Sequence, residues 1–553
     1  MIRTQNWSLT QKFVPTTRKT VGHEWTDLIE AASTGASLLN IQTLLRKDIE
    51  AMARHAQISP LAIAVPRAKG KTRAAVIGKQ LASCMFPAAA DELTSRIQFD
   101  RLLARLSRYY RDWEEKLFNQ ESAYRRSRTG GAVWTALSSD GTRGLSEDIL
   151  RPRPAPLSHP QPRLEAIMPL VSHLEFNEPL DNDLLEFPVG IVTREGKLDL
   201  FKRGIGPELI DPLLTSLRSN DFIKHVLLGN NFVGARGAHG IANFLITNRP
   251  LVITWYLGGN EFSAPEADTL LHAFLKDEQC TSLWLKRNPL CPGSGPSLRR
   301  LLQDNRHLEL LDLQNTGLLD SGTANVIQGL CANTALRALY LDANGITDAV
   351  PIASYLNLLT DTGRVGITRL WLSMNRLGDM GVRTLCRSLS NYIPIRGLSL
   401  GSNGCSAAVA EDVYLAFRSH PNLQFLDLGM YKATADLHEL TNRIGDEGLV
   451  WICQLIRENT QLRVLSISCN GLSGDGLSTL ADALRDNHSL VHVEYFQYGL
   501  KMDQDIRNKI DTQCELNWIR LCRDEALDPA TRHHYVRVIK HSKLVSNIDS
   551  FYD

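Results

Sequence analysis

This 553-residue chain has no apolar run long enough to span a membrane, and its opening, Met1-Ile2-Arg3-Thr4-Gln5-Asn6, lacks the apolar centre of a secretory signal. Those absences point to a cytoplasmic protein with no membrane partner, although export by a specialised secretion machine leaves no such mark and stays open. Ten cysteines occur without a Cys-x-x-Cys pair, which argues against a zinc ribbon or a thioredoxin-like motif. Cys280 and Cys405 fall at apolar positions and Cys331, Cys386 and Cys453 in helical stretches, so they read as buried reduced thiols. Net charge is nearly absent as well, at +1. Its distribution is uneven: residues 1–150 hold 22 Lys and Arg against 15 Asp and Glu, leaving that part near +7 and the remainder near −6.

The usual catalytic signatures are missing. There is no His-Glu-x-x-His, and the fifteen histidines give no metal-ligand spacing beyond His533-His534, which reads as an exposed basic helix. Residues 61–72 have the order of a phosphate-binding loop, but Val65 stands where the first glycine is needed and no strand ending in an acidic magnesium ligand follows before residue 150. A Gly-x-Ser-x-Gly match at 397–401 lies within a strand pattern, whereas a nucleophilic serine needs a sharp strand-to-helix turn. Cys84 stands alone and reads as buried filler. No enzyme, metal site or cofactor is expected on these grounds.

What the chain does have is a repeat. Between Glu195 and Leu500 a pattern close to apolar-x-x-apolar-x-apolar-x-x-Asn-x-apolar recurs eleven times, with polar anchors at Arg203, Asn231, Asn260, Asn288, Thr316, Asn344, Asn375, Asn403, Tyr431, Asn470 and Tyr498. The usual step is 28 residues; the longest, from Tyr431 to Asn470, is 39. A unit of this length cannot bury its apolar face alone and stacks on its neighbours to build one continuous core. In Leu336-Arg337-Ala338-Leu339-Tyr340-Leu341-Asp342-Ala343-Asn344, Leu339 and Leu341 point inward as a short parallel strand requires, and Tyr340 points away. Helical spacing follows each strand, as in Leu477, Leu480 and Leu484. The fold class is α/β, a horseshoe with parallel strands inside and helices outside.

At these residues the chain resembles the leucine-rich repeats of the ribonuclease-inhibitor class, also found in NOD-like immune receptors and in the activator of the Ran GTPase. The resemblance covers residues 195–500 and implies this solenoid fold and a role in protein recognition; fold alone does not name the ligand.

The outward strand position reads Asp199, Leu227, Tyr256, Trp284, Asp312, Tyr340, Trp371, Ser399, Asp427, Ser466 and Glu494 from one repeat to the next. Four large aromatics thus stand where water is expected, spanning roughly 20 Å from Tyr256 to Trp371 at the usual strand spacing. Tyr and Trp are common binding anchors, and Lys286, Arg287 and Arg369 beside them suit acidic groups on a partner. The expected partner-binding set is Tyr256, Trp284, Lys286, Arg287, Tyr340, Arg369, Trp371 and Tyr431. Replacing Trp284 and Trp371 by alanine is expected to abolish capture with little change in the thermal melt. The competing reading is that a domain, a terminal segment or cross-strand stacking covers these rings. Extra residues near 431–440 are expected to project from one rim, as a specificity element or a tolerated loop.

Outside the repeats, residues 1–150 read as a separate, basic, mainly helical domain. Residues 100–118 form an amphipathic helix with Arg101, Arg105 and Arg108 as a stripe, and with the loop bearing Lys69, Lys71 and Arg73 they supply a possible nucleic-acid grip. Five prolines among residues 152–162 mark a linker at 151–163, residues 164–194 read as the amino-terminal cap, and residues 501–553 as a helical carboxy-terminal cap. The resulting expectation is a non-enzymatic recognition or scaffold protein that binds a protein partner on its concave face. A nucleic-acid-binding protein acting through the basic domain, and an effector with unrecognised amino-terminal activity, stay open as alternatives.

Overall fold

The computed structural model describes residues 145–155, 161–177, 180, 182–497, 499–500 and 503–551. All but Phe551 belong to one compact unit, Thr129–Ser550. The expected basic domain, with Lys69, Lys71, Arg73, Arg101, Arg105 and Arg108, lies outside the described residues, as do Cys84 and Tyr498.

Among the described residues, thirteen strands follow one another in sequence order across a single open sheet. β1 (Leu184–Phe187), β2 (Gly190–Thr193) and β3 (Lys197–Asp199) pair antiparallel, and every pairing from β3 onward is parallel. The parallel run continues through β4 (His225–Leu227), β5 (Thr254–Tyr256), β6 (Ser282–Trp284), β7 (Leu310–Asp312) and β8 (Ala338–Tyr340). It ends with β9 (Arg369–Trp371), β10 (Gly397–Ser399), β11 (Phe425–Asp427), β12 (Val464–Ser466) and β13 (His492–Glu494). Parallel neighbours need a crossover, and helices supply it. Each strand from β3 to β13 turns its middle residue, such as Leu283, Leu339 or Leu370, into the core shared with the helices. The first and third residues face the other way. In the helix Gly474–Arg485, Leu477, Leu480 and Leu484 are buried, as their spacing requires.

Asparagines close most of the turns, with Thr316 standing in for one of them, its Oγ1 donating to Leu313 O at 2.8 Å. Asn344 Nδ2 donates to the carbonyls of Leu313 (2.8 Å) and Leu341 (3.1 Å), and its Oδ1 accepts from the amides of Thr316 (3.1 Å) and Leu318 (3.2 Å). With the Asp342 carbonyl at 3.2 Å, one side chain therefore pairs five backbone groups in two adjacent repeats, which buried peptide groups require. Asn260, Asn288, Asn375 and Asn403 repeat the geometry. The anchor of the long repeat is not Tyr431. Asn442 takes that place, donating to Leu400 O and Leu428 O at 3.0 Å each, so the 39-residue step runs from Asn403 to Asn442. In the last repeat Gln497 does the same work, its Oε1 accepting from Gly471 and Leu472. A second ladder, unforeseen in the sequence, lies where helices return to strands: Asn333 donates to Leu302 O, Asn459 to Phe417 O and Asn487 to Ile456 O.

Both ends differ from the expected boundaries. Residues 145–155 are part of the repeat body instead of a domain edge and free linker. They run along the turn rim, with Ile149 fully buried, Asp148 O accepting from Asn315, Leu150 O from Cys291 and the Ala155 amide donating to Asn230. Gly317 shows why the contact is close: at φ +71° it has no side chain, and a Cβ there would stand 2.9 Å from Leu150 O. At the other end only the helix Gln504–Glu525 acts as a cap. It buries Ile510, Cys514, Trp518 and Cys522, a stripe shifted from the expected one, and leaves Leu516 and Ile519 exposed. Residues 532–550 instead turn back across the strand face.

Candidate partner-binding face

The pairing register places the eleven outward residues side by side as read: Asp199 opposite Leu227, then Tyr256, Trp284, Asp312, Tyr340, Trp371, Ser399, Asp427, Ser466 and Glu494. The four aromatics, however, are not open to water. Tyr256 and Tyr340 are 6% exposed, Trp284 3% and Trp371 2%. Large rings on short strands reach their neighbours: Tyr340 and Trp371 stack with centroids 4.3 Å apart, and Trp284 reaches past Asp312 to Tyr340 at 5.6 Å. Phe201 and Phe425, which the outward-position count missed, extend the row at 5.6 Å from Tyr256 and 6.3 Å from Trp371.

The terminal segment adds to this cover. The His541 ring stacks on Trp371 at 6.3 Å, and its carbonyl accepts from the Tyr340 hydroxyl at 3.2 Å. Arg369 Nη2 donates to Val538 O at 3.4 Å. Lys540 pairs with Glu494, and Arg537 with Asp549 inside the segment. At the opposite end of the sheet Lys197 Nζ donates to the carbonyls of Ser546 (3.3 Å) and Asp549 (3.2 Å), and Ser550 Oγ donates to Asp199. The expectation of solvent-exposed rings is therefore corrected: stacking and a terminal segment cover them.

Of the remaining candidates, Lys286 Nζ lies over the rings of Tyr256 (5.2 Å) and Trp284 (5.8 Å), a cation–π position. Arg287 is exposed at the rim, in the turn with φ +58°. Tyr431 hydrogen-bonds Ser399 at 3.0 Å, so it belongs to the face without being an anchor. The insertion it opens is pinned down, not projecting: Thr434 bonds Ser402 at 2.8 Å, and Glu439 forms a two-oxygen pair with Arg376 at 3.0 Å, both side chains buried.

The face is electrostatically distinctive. Its central row carries four carboxylates, Asp199, Asp312, Asp427 and Glu494, and no Lys or Arg. Burial pushes Asp312 up to about 6, against the pull of Lys286. Burial also raises Glu494, but hydrogen bonds from His492 and Lys540 outweigh it and hold the group at about 2. His541 is pushed down to about 4, by burial first and then by Lys540, Arg537 and Lys286. The nine described cysteines are all free, and burial raises the thiols of Cys280, Cys386, Cys405, Cys453 and Cys514. Among the described residues no His, Cys, Asp and Glu group could hold a metal ion, and no helix is long and apolar enough to cross a membrane.

The Leucine Rich repeat family profile matches residues 458–481. A ribonuclease inhibitor of Sus scrofa is 27% identical over 288 residues, 51% of this chain and 53% of that protein. The NACHT, LRR and PYD domains-containing protein 12 of Homo sapiens is 27% identical over 53% of this chain and 27% of its own length. The chain thus spans about half of the first relative and about a quarter of the second. A solved leucine-rich repeat-containing protein, LegL7 of Legionella pneumophila, is 16% identical over 54% of this chain and 94% of that one, at a TM-score of 0.33, a likeness too loose to carry weight. With eleven parallel strands in register, an asparagine ladder interrupted at Thr316 and these relatives, the chain is a leucine-rich repeat protein of the ribonuclease-inhibitor-like class.

Proposed function

We propose that this protein is a non-enzymatic recognition scaffold that binds a protein partner along the strand face. The observation that carries the reading is the single unbroken row in which Tyr256, Trp284, Tyr340 and Trp371 stand in register between carboxylates, with Lys286 and Arg369 beside them. Large, stiff side chains with polar edges, held on a rigid sheet, are what a protein interface uses as anchors. The Sus scrofa relative is named a ribonuclease inhibitor, and a ribonuclease is itself a protein, which supports the reading by analogy. The exposed Arg287 and the insertion that carries Tyr431 would lie at the edge of the same interface.

Site-specific photo-crosslinking tests it. A photoreactive residue replaces Lys286 on the strand face or Met380, 71% exposed on the helix Gly378–Leu389, in the full-length chain expressed in its native cell. The expected result is one protein adduct from position 286, unaffected by nuclease and absent from position 380. Equal adducts from both positions, or nuclease-sensitive nucleic acid alone, would overturn the reading.

A further inference from the structure

The segment that covers the aromatic row is chemically matched to it. Residues 532–550 carry Arg532, Arg537, Lys540 and Lys543 against one acid, Asp549, and face a row with four carboxylates. Contacts reach from one end of the parallel sheet to the other: Lys540 on Glu494 of β13, Val538 on Arg369 of β9, and Ser550 on Asp199 of β3. The segment's start is tied to the cap helix, where Arg532 pairs with Glu515 and the Tyr535 ring lies 5.2 Å from that of Trp518, and beyond that start it is held mainly by separate polar contacts. Val536 and Ile539 are buried, but Leu544, Val545 and Ile548 are only half-buried, in contrast to the cap helix, whose Ile510 and Cys514 join the main core of the repeats. The join between cap and segment is exposed at residues 523–526 and 528–530, with Ala526 in a left-handed conformation. A segment that follows an exposed turn and, beyond its first helix, buries few apolar groups is drawn from the low-stability end of a fold.

We propose that the strand face is a cleft for a basic helix-and-turn segment and that residues 532–550 fill it in cis, so that the partner binds only when this segment is released. The proposal rests on the recognition reading for its partner, while occupancy by the segment can be tested without one. Lys540–Glu494 and Ser550–Asp199 are its latches, and the stack of His541 on Trp371 is its centre.

The test uses the full chain with a specific protease site inserted at Ala526, cut after folding, and a labelled peptide of residues 532–550 as probe. Uncut protein is expected to ignore the peptide, and cut protein to exchange its own segment for it at one to one. A peptide with Lys540→Glu should bind about tenfold more weakly, and Glu494→Lys in the cut chain should restore it, as a pair that acts through opposite charge requires. Failure of the cut, folded chain to take the peptide, or no rescue by the charge swap, would sink the proposal. Exchange of segments between uncut chains into a dimer that grows with concentration would also overturn it, by assigning the segment to a second copy. If the peptide exchanges as expected but the released face crosslinks no cell protein, occupancy stands and the recognition reading fails.

Discussion

At the scale of single residues, the repeat is held by side chains that serve several backbone groups at once. Asn344 is fully buried and pairs five of them, so removing its amide leaves those groups without its bonds in a place water does not reach. Asn344→Ala is expected to cost about 2–4 kcal/mol, measured by urea unfolding. Arg376 and Glu439 present a different case. Burial pushes the Glu439 carboxyl up to about 7 even with the guanidinium beside it, so this group can take a proton when the pair is broken. The guanidinium cannot. Arg376→Met should therefore cost less than Glu439→Leu, the latter about 3 kcal/mol or more, and the double variant should recover most of the loss. Equal losses from the two single variants would show that proton uptake plays no part. The ladder positions were legible because Asn recurs every 28 residues, but Tyr431 was mistaken for an anchor since spacing alone cannot distinguish an insertion before the Asn from one after it.

At the scale of elements, strand register was legible and burial was not. Period-two alternation within each unit fixes which side chain leaves the core, and all eleven outward residues pair as read. Whether water or another segment lies beyond them depends on contacts between residues far apart in sequence, such as Tyr340 with His541, which no local pattern encodes. The consequence is a changed expectation for Trp284→Ala with Trp371→Ala. Rings 2–3% exposed that stack on each neighbour cannot be removed without loss, so the double variant should melt well below the parent, each truncation costing about 3 kcal/mol or more. An unchanged melt would mean that the stack is not formed in solution. The insertion follows the same rule: its length was visible, while its attachment through Thr434 and Glu439 to two earlier repeats was not.

At the scale of the whole described body, the terminal segment couples the strand face to pH. Buried against Trp371 among Lys540, Arg537 and Lys286, His541 has its pKa depressed to about 4, whereas a released His titrates near 6.5. A depressed histidine favours the docked, neutral form above its free pKa, and that advantage is lost as pH falls, because only the released segment readily takes up the proton. Between pH 7 and pH 5 this alone weakens docking by about twentyfold. Asp312 acts in the opposite sense: with its pKa raised to about 6 it gains a proton more readily when covered, returning up to about tenfold at pH 5 if its cover is the segment. Glu494, held at about 2, stays ionised throughout and keeps its pair with Lys540. The net expectation is that amides 541–550, corrected for intrinsic exchange, lose hydrogen-exchange protection on going from pH 7 to pH 5. His541→Gln should abolish that loss or reverse it, since Asp312 then acts unopposed. A loss of the same size in the variant would assign the effect to general acid destabilisation, to which the buried His225, also pushed down to about 4, contributes in the same direction.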